Sequence, residues 1–241
     1  MKTLHSVLAL LGLLLVSSRT AYAQSSAAER DIVAGYQKGQ ETGMLVTIFR
    51  VNNGSLLRVE PQHEFKQDDE IKVGLESNFA GYVYIVNYGS SGANRLLFPG
   101  RGERNLIKAR SLEYLPKTYP IAFDKHQGGE VLRVFMSLNK IDFLDAAART
   151  PEGILSEQAV ETINQLWQSG LSQQAGVVTY EAKVNNGKRD ARAAETREPI
   201  WSASKKSALI TLRRRKGRRT KLAPNQIMVF GLNFQNAGAK P

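Results

Sequence analysis

The sequence contains no cysteine among its 241 residues. This absence excludes a disulfide framework, a thiol nucleophile, a thiolate metal site and a lipoprotein anchor acylated on cysteine. Histidine is also scarce, because the chain has three, and none stands at a paired spacing typical of a zinc site. No glycine-rich phosphate-binding motif occurs either. We therefore predict that the protein holds no metal ion and no cofactor.

Long apolar runs are missing as well. The run at residues 7–16 is about half as long as a membrane-spanning helix requires. It follows the basic residue Lys2, and Ala21, Tyr22 and Ala23 then form the small-x-small pattern that signal peptidase cleaves. We predict a signal peptide over residues 1–23 and export to the periplasm or the cell exterior. The lack of cysteine favours a bacterial envelope over eukaryotic secretion.

Acidic residues are absent from the C-terminal part of the chain. Residues 199–241 contain ten basic residues and no acidic residue, whereas residues 24–198 have a formal net charge of −1. The net charge of the predicted exported chain, +9, therefore originates entirely in its last 43 residues.

Period-two alternation and short apolar runs predict β-strands through the middle of the chain. The predicted strands are residues 44–51, 56–60, 71–75, 81–88, 96–98, 119–123 and 131–138. Asn52, Asn53 and Gly54 predict a tight hairpin turn, because asparagine and glycine tolerate positive φ. Gly128 and Gly129 predict another turn. The pattern is typical of a mainly β fold, an antiparallel sandwich or partly open barrel with one or two packed helices.

The pattern changes after residue 140. Helices are predicted at 141–149 and 156–169, followed by strands at 178–184, 208–214 and 227–234. We interpret residues 24–43 as a flexible arm and 44–140 as an antiparallel β domain. Residues 141–241 then add a helix and a C-terminal β extension with a basic hairpin. The sequence leaves open whether this extension completes the same sheet.

An ordered set of short motifs runs through the predicted β domain. The motifs are Phe-Lys-Gln-Asp-Asp-Glu at 65–70, Gly-Tyr-Val-Tyr-Ile at 81–85, Leu-Phe-Pro at 97–99, Leu-Pro at 115–116 and Gly-Gly-Glu at 128–130. In these motifs, residues 44–138 resemble an uncharacterised bacterial family, domain of unknown function (DUF) 4384. The resemblance implies an antiparallel β domain, often exported or attached to other modules, and implies no catalytic residues. Family members commonly carry Gly-Asp where this chain has Asp68-Asp69, and asparagine where it has Gly100.

Three tyrosines, Tyr82, Tyr84 and Tyr88, share one face of a predicted central strand. They are either an exposed stacking platform for sugars or peptides, or core side chains whose hydroxyl groups reach the rim. The tendency of aromatic side chains to be buried favours the core.

Evidence for catalysis in the sequence is weak. Serine and lysine stand three residues apart at Ser137–Lys140 and at Ser202–Lys205, but the further motifs of serine–lysine enzymes are absent. We therefore predict no catalytic residue. A hydrolase acting on envelope glycan or peptide stays an alternative function, since a pair of catalytic carboxylates assembled in space leaves no local trace.

The strongest motif is a run of seven basic residues in nine, which we call the basic segment. It comprises Arg213, Arg214, Arg215, Lys216, Arg218, Arg219 and Lys221, with Gly217 at the tip of a predicted hairpin. We predict that it engages an anionic partner: phospholipid, lipopolysaccharide, a wall polymer or an acidic protein surface. Export disfavours nucleic acid. A solvated loop without a specific role is the competing interpretation, and the predicted function is a non-catalytic, exported envelope binding or accessory module.

Overall fold

The computed structural model describes residues 36–38, 42–60, 63–88, 94–123, 128–171, 177–181, 200–202, 207–211 and 222–236. The predicted signal peptide, most of the predicted arm and the basic segment lie outside these ranges.

The described residues form two β-sheets and two helices. Sheet 1 contains β1 (Gly43–Asn52), β2 (Ser55–Val59), β3 (Glu70–Ser77), β7 (Glu113–Leu115), β8 (Ile121–Ala122), β11 (Ile200–Ser202) and β12 (Ser207–Thr211). Sheet 2 contains β4 (Gly81–Tyr88), β5 (Asn94–Phe98), β6 (Leu106–Ile107), β9 (Gly128–Ser137), β10 (Val177–Glu181) and β13 (Ile227–Asn236). The helices are α1 (Asp142–Ala147) and α2 (Glu157–Leu171).

The strand order shows how the C-terminal part of the chain completes the fold. Sheet 1 has the order β11-β12-β1-β3-β7, with β2 also paired to β1 and β8 to β3. Sheet 2 has the order β10-β13-β9-β4-β5, with β6 also paired to β4. The β10–β13 pair is parallel and the other described pairs are antiparallel. The C-terminal strands are therefore divided between both sheets.

Two hydrophobic clusters hold the two sheets and the helices together. The larger cluster fills the space between the sheets and takes Val46 and Ile48 from β1, Val73 and Leu75 from β3, Val83 and Ile85 from β4, Val134 and Met136 from β9, and Phe230 and Leu232 from β13. The smaller cluster packs α1 and α2 on the outer face of sheet 2. The predicted mainly β, antiparallel sandwich with one or two packed helices is confirmed.

The hairpin predicted at residues 52–54 is also confirmed. β1 and β2 pair up to Asn52 and Ser55, and the two turn residues, Asn53 and Gly54, have φ angles of 48° and 76°. Both lie in the left-handed region, where asparagine and glycine have the smallest steric cost.

The helix predicted at residues 156–169 is confirmed as α2. Its start is fixed by Ser156, whose Oγ accepts a hydrogen bond from the backbone N of Ala159 at 3.2 Å, as expected of an N-cap. Trp167 near the other end is buried against the sheet.

Two local predictions are wrong. Gly128 and Gly129 do not form a turn, because they begin β9 and pair with Asn236 and Gln235 of β13. The strands on either side of the basic segment do not form a hairpin, because β12 belongs to sheet 1 and β13 to sheet 2. The basic segment therefore connects the two sheets.

Candidate functional site

One end of the sandwich brings together chain segments that are far apart in sequence. β3 ends at Ser77 and β4 begins at Gly81, so only three residues separate a strand of sheet 1 from a strand of sheet 2. β1 begins beside the end of β3, where Ser77 Oγ donates a hydrogen bond to the Gly43 carbonyl at 3.1 Å. In sheet 2, β9 ends where β13 begins, with Ser137 paired to Ile227. We call this region the basic end, for the side chains described below.

Both flanks of the basic segment are anchored at this end. Thr211, the last residue of β12, pairs with Gly43 at the start of β1. On the other flank, Leu222 is buried in the core between the sheets. The Asn139 side-chain amide, just after β9, donates a hydrogen bond to the Pro224 carbonyl at 2.9 Å. The seven basic residues themselves lie outside the described residues, but the chain enters and leaves them at the basic end.

Two further basic residues lie at the same end, and the sequence analysis did not select them. Residues 106–112, which we call the crossing segment, run from β6 in sheet 2 towards β7 in sheet 1. Ile107 pairs with Gly81, and the backbone N of Arg110 donates a hydrogen bond to the Ser77 carbonyl at 2.6 Å. Lys108 and Arg110 are exposed, and within the described part of the chain neither is in an ion pair. No local pattern marks them, because the topology rather than the spacing brings them there.

Tyr36 links the residues that precede β1 to this end. Its hydroxyl donates a hydrogen bond to the Glu76 carbonyl at 3.3 Å, and its own carbonyl accepts one from the Asn78 amide at 3.1 Å. Burial, aided by the Glu76 carboxylate, holds the pKa of Tyr36 above its ordinary value, and the Arg110 guanidinium acts in the opposite direction. Lys38 follows two residues later and is exposed.

A chain of polar contacts joins α1 to sheet 2 beside the basic end. The buried Tyr84 hydroxyl donates a hydrogen bond to Asp145 at 2.6 Å and accepts one from the Ile141 backbone N at 3.0 Å. Lys140 Nζ lies 3.1 Å from the other Asp145 oxygen. Burial, and then the hydrogen bond to Asp145, raise the pKa of Tyr84, so this phenol stays protonated. The arrangement fixes α1 on the sheet and does not activate a nucleophile.

The described acidic residues at this end are mostly engaged. Asp145 is paired with Lys140, and Glu76 is half-buried beside Tyr36. Asp142, at the start of α1, is exposed. With Glu113, which pairs with Leu75 of β3, these acidic residues balance the basic residues Lys38, Lys108, Arg110 and Lys140. The excess of positive charge therefore comes from the basic segment, whose two flanks lie at this end.

Ser137 and Lys140, one of the two serine–lysine pairs in the sequence, are bonded to different partners. The Ser137 hydroxyl donates to the Asn139 carbonyl, whereas Lys140 pairs with Asp145. Lys140 Nζ also lies 5.9 Å from the centre of the Tyr82 ring. Lys205, of the second pair, lies outside the described residues.

The three tyrosines of β4 lie on one face, as predicted, but that face is covered. Tyr84 is fully buried, and Tyr82 and Tyr88 pack against the cluster beneath the helices. An exposed platform of three rings is therefore not formed.

At the far end of this face, Tyr88 contacts Arg133. The guanidinium carbon of Arg133 lies 4.4 Å from the centre of the Tyr88 ring and 4.7 Å from that of Trp167. Its Nη1 donates a hydrogen bond to Asn164 of α2 at 3.0 Å. Burial raises the pKa of Tyr88 to about 12, although Arg133 acts against this shift. The contacts indicate a role in docking α2.

Within the described ranges, no group of three or more histidine, aspartate or glutamate side chains is placed to hold a metal ion. Among the same residues, no helix is both long enough and apolar enough to cross a bilayer.

Comparison with known families confirms the resemblance noted in the sequence. Residues 64–140 match the family model described as domain of unknown function (DUF4384). The match runs from the turn before β3 to Lys140, and it includes the whole crossing segment. No curated protein and no solved structure matched the chain.

Proposed function

We propose that the protein is an exported, non-catalytic envelope module that binds an anionic partner through the basic segment. One observation carries the proposal: ten basic residues and no acidic residue occupy residues 199–241, whereas residues 24–198 are nearly neutral. Basic side chains in such a short stretch repel one another. An anion bound against them relieves this repulsion and lowers the free energy of the chain.

The position of the basic segment supports this function. Its flanks, Thr211 and Leu222, are both held at the basic end, so the chain enters and leaves the basic segment there and the charge is not carried on a free terminus. Each lysine or arginine near an anionic membrane surface contributes about 1 kcal/mol, so seven can supply several kcal/mol of salt-sensitive attraction.

Export is part of the proposal and rests on residues 1–23. In the envelope the available anions are phospholipid headgroups, lipopolysaccharide, wall polymers and acidic protein surfaces. The alternative, an envelope hydrolase, stays a prediction from the sequence. The contacts of Ser137 and Lys140 do not favour it, because neither side chain contacts the other.

Co-sedimentation with envelope fractions of the source cell tests the proposal. The protein, expressed from its full sequence, is compared with a variant in which Arg213, Arg214, Arg215, Arg218 and Arg219 are changed to serine. A matched control variant carries five serines at the exposed sites Arg58, Lys66, Arg95, Arg101 and Arg149, so it loses the same charge.

We expect the protein and the control to pellet at low salt and to be released at high salt. The arginine variant should remain in the supernatant at every salt concentration. Equal pelleting of both variants, or no pelleting of the unmodified protein, would contradict the proposed function.

A further inference from the structure

We propose that the crossing segment is a membrane contact site, which places Lys108 and Arg110 on the phosphate groups of an anionic lipid bilayer. The inference rests on the proposed function for the sign of its partner, and it adds the partner's class and a second, folded contact surface. Three side chains carry it: Leu106, Lys108 and Arg110.

The crossing segment presents charge beside the basic segment. Ile107 is paired to the first residue of β4 and Arg110 is bonded to the last residue of β3, so Lys108 and Arg110 lie at the basic end. The next acidic residue along the chain, Glu113, is engaged by Lys117 at 3.4 Å and by the Ser111 hydroxyl at 3.2 Å. The two cations are therefore available to an external anion.

The same segment exposes leucine on both sides of these cations. Leu106 is 53% exposed and Leu112 is 37% exposed, although large aliphatic side chains in this fold are mostly buried. Leu106 is in register with Tyr82 on the outer face of sheet 2. Leu112 reaches the face of sheet 1 near Gly74. Exposed apolar side chains next to basic ones are typical of surfaces that rest in the headgroup region of a bilayer.

The backbone conformation of Arg110 independently supports a functional role for its side chain. Arg110 has a φ angle of 60°, a conformation that glycine or asparagine adopts at lower cost. An unfavourable backbone that places an exposed charged side chain is often found at functional positions.

The combination of leucine and cation favours a bilayer over a soluble anionic polymer. A polymer of phosphates or carboxylates would satisfy Lys108 and Arg110 but would leave Leu106 in water. A bilayer offers phosphates to the cations and acyl chains to Leu106, so it accounts for these three side chains, whereas Leu112 packs on the outer face of sheet 1.

Vesicle co-sedimentation tests the inference. The full-length protein is mixed with vesicles of equal parts phosphatidylglycerol and phosphatidylcholine, and with vesicles of phosphatidylcholine alone. The test variant is Lys108→Gln with Arg110→Asn, in which asparagine suits the left-handed backbone. Its matched control is Arg58→Gln with Lys66→Gln, two exposed residues away from the basic end, because Arg58 pairs with Phe49 of β1 and Lys66 precedes the start of β3. A third variant, Leu106→Gln, removes apolar contact without changing charge.

We expect Lys108→Gln with Arg110→Asn to lower the partition coefficient onto anionic vesicles by roughly 10- to 30-fold, as two interfacial charges imply. The Arg58 and Lys66 control should change it far less. Leu106→Gln should weaken binding at high salt as well as at low salt, because its contribution is not electrostatic. Thermal unfolding of each variant shows whether the fold is retained.

Three results would overturn the inference: no binding to anionic vesicles, equal losses in the test and control pairs, or no effect of Leu106→Gln. Strong binding to soluble polyphosphate but not to vesicles would assign the site to a polymer instead. The arginine-to-serine variant of the basic segment separates the two proposals. If that variant alone loses vesicle binding, the proposed function stands and the crossing segment has no such role. If only the Lys108 and Arg110 variant loses it, the basic segment is not the binding element.

Discussion

Asp68 and Asp69 explain the sequence of the first motif shared with the family, residues 65–70. Asp69 accepts hydrogen bonds from the Lys66 backbone N at 2.9 Å and from Arg50 Nη2 at 2.7 Å. It therefore closes the turn before β3 and ties that turn to β1. Its neighbour Asp68 has a φ angle of 66°, in the left-handed region. This backbone explains why the family commonly carries glycine there, since glycine adopts positive φ without steric cost.

At the residue scale, we predict that glycine and alanine at position 68 differ in their effect on stability. Asp68→Gly should be at least as stable as the parent, and Asp68→Ala should be less stable than Asp68→Gly by about 1 kcal/mol, because a Cβ is strained at positive φ. Urea unfolding of both variants measures the difference. At the neighbouring Gln67, whose φ is not positive, the order should reverse. The same order at both positions would mean that the backbone of Asp68 is not as described.

At the scale of elements, the docking of α2 depends on a glycine opposite an aromatic ring. A Cβ added at Gly231 of β13 would lie 2.5 Å from Cη2 of Trp167. Glycine therefore leaves room for the indole ring, which packs against the strand and against the guanidinium of Arg133.

We predict that Gly231→Ala destabilises the protein by about 1–3 kcal/mol, the usual cost of overpacking a well-filled interior. Trp167→Leu alone should also destabilise it, through lost packing. The double variant should lose less unfolding free energy than the sum of the two single losses, because leucine at position 167 is too short to clash with the added methyl group. Chemical unfolding of the four proteins gives the coupling free energy. A coupling of zero would contradict the contact.

The longer elements were predictable from the sequence, and the short ones were not. β4 agrees with its prediction residue for residue, because seven of its eight residues are glycine, β-branched or aromatic, a composition that favours a central strand. β6 has two residues and β7 has three, too few for any periodicity to appear. Gly128 and Gly129 were predicted as a turn from their type, but ten paired residues of β13 hold them in β9. Pairing with a distant strand decided their conformation.

The same limit explains what the sequence did not predict about the candidate site. The run of arginines identified the basic segment, but the assignment of β12 and β13 to different sheets depends on long-range pairing. Lys108 and Arg110 have no distinctive neighbours in the sequence. They join the basic end only because the crossing segment passes from one sheet to the other.

At the scale of the whole molecule, the buried Tyr36 and Tyr84 and the partly buried Tyr88 make the free energy of unfolding depend on pH in alkaline solution. Burial makes the largest contribution to raising the pKa of Tyr36, Tyr84 and Tyr88 above the ordinary value of about 10. The folded state therefore keeps protons that the unfolded state loses once the pH exceeds about 10. Their contribution is complete below this pH and decreases above it.

We predict that the free energy of unfolding falls above about pH 10, by up to about 1.4 kcal/mol per pH unit for each of these tyrosines. Unfolding by urea at a series of pH values measures the slope. Tyr88→Phe should reduce the slope by about one such contribution. Tyr119→Phe, at a residue 76% exposed, should leave it unchanged. Equal slopes for both variants would contradict the burial of Tyr88.

The division of strands between the interior and the margins of the sheets has a consequence for self-association. Among the described residues, β1, β3, β4, β9 and β13 have eight to ten residues each, and every one is paired on both sides. The strands at the margins have two to five residues. A neighbouring copy, or a partly unfolded chain, would find no long row of free amide and carbonyl groups on which to add a strand. The architecture therefore resists edge-to-edge aggregation, so many copies can crowd against one surface and remain separate molecules.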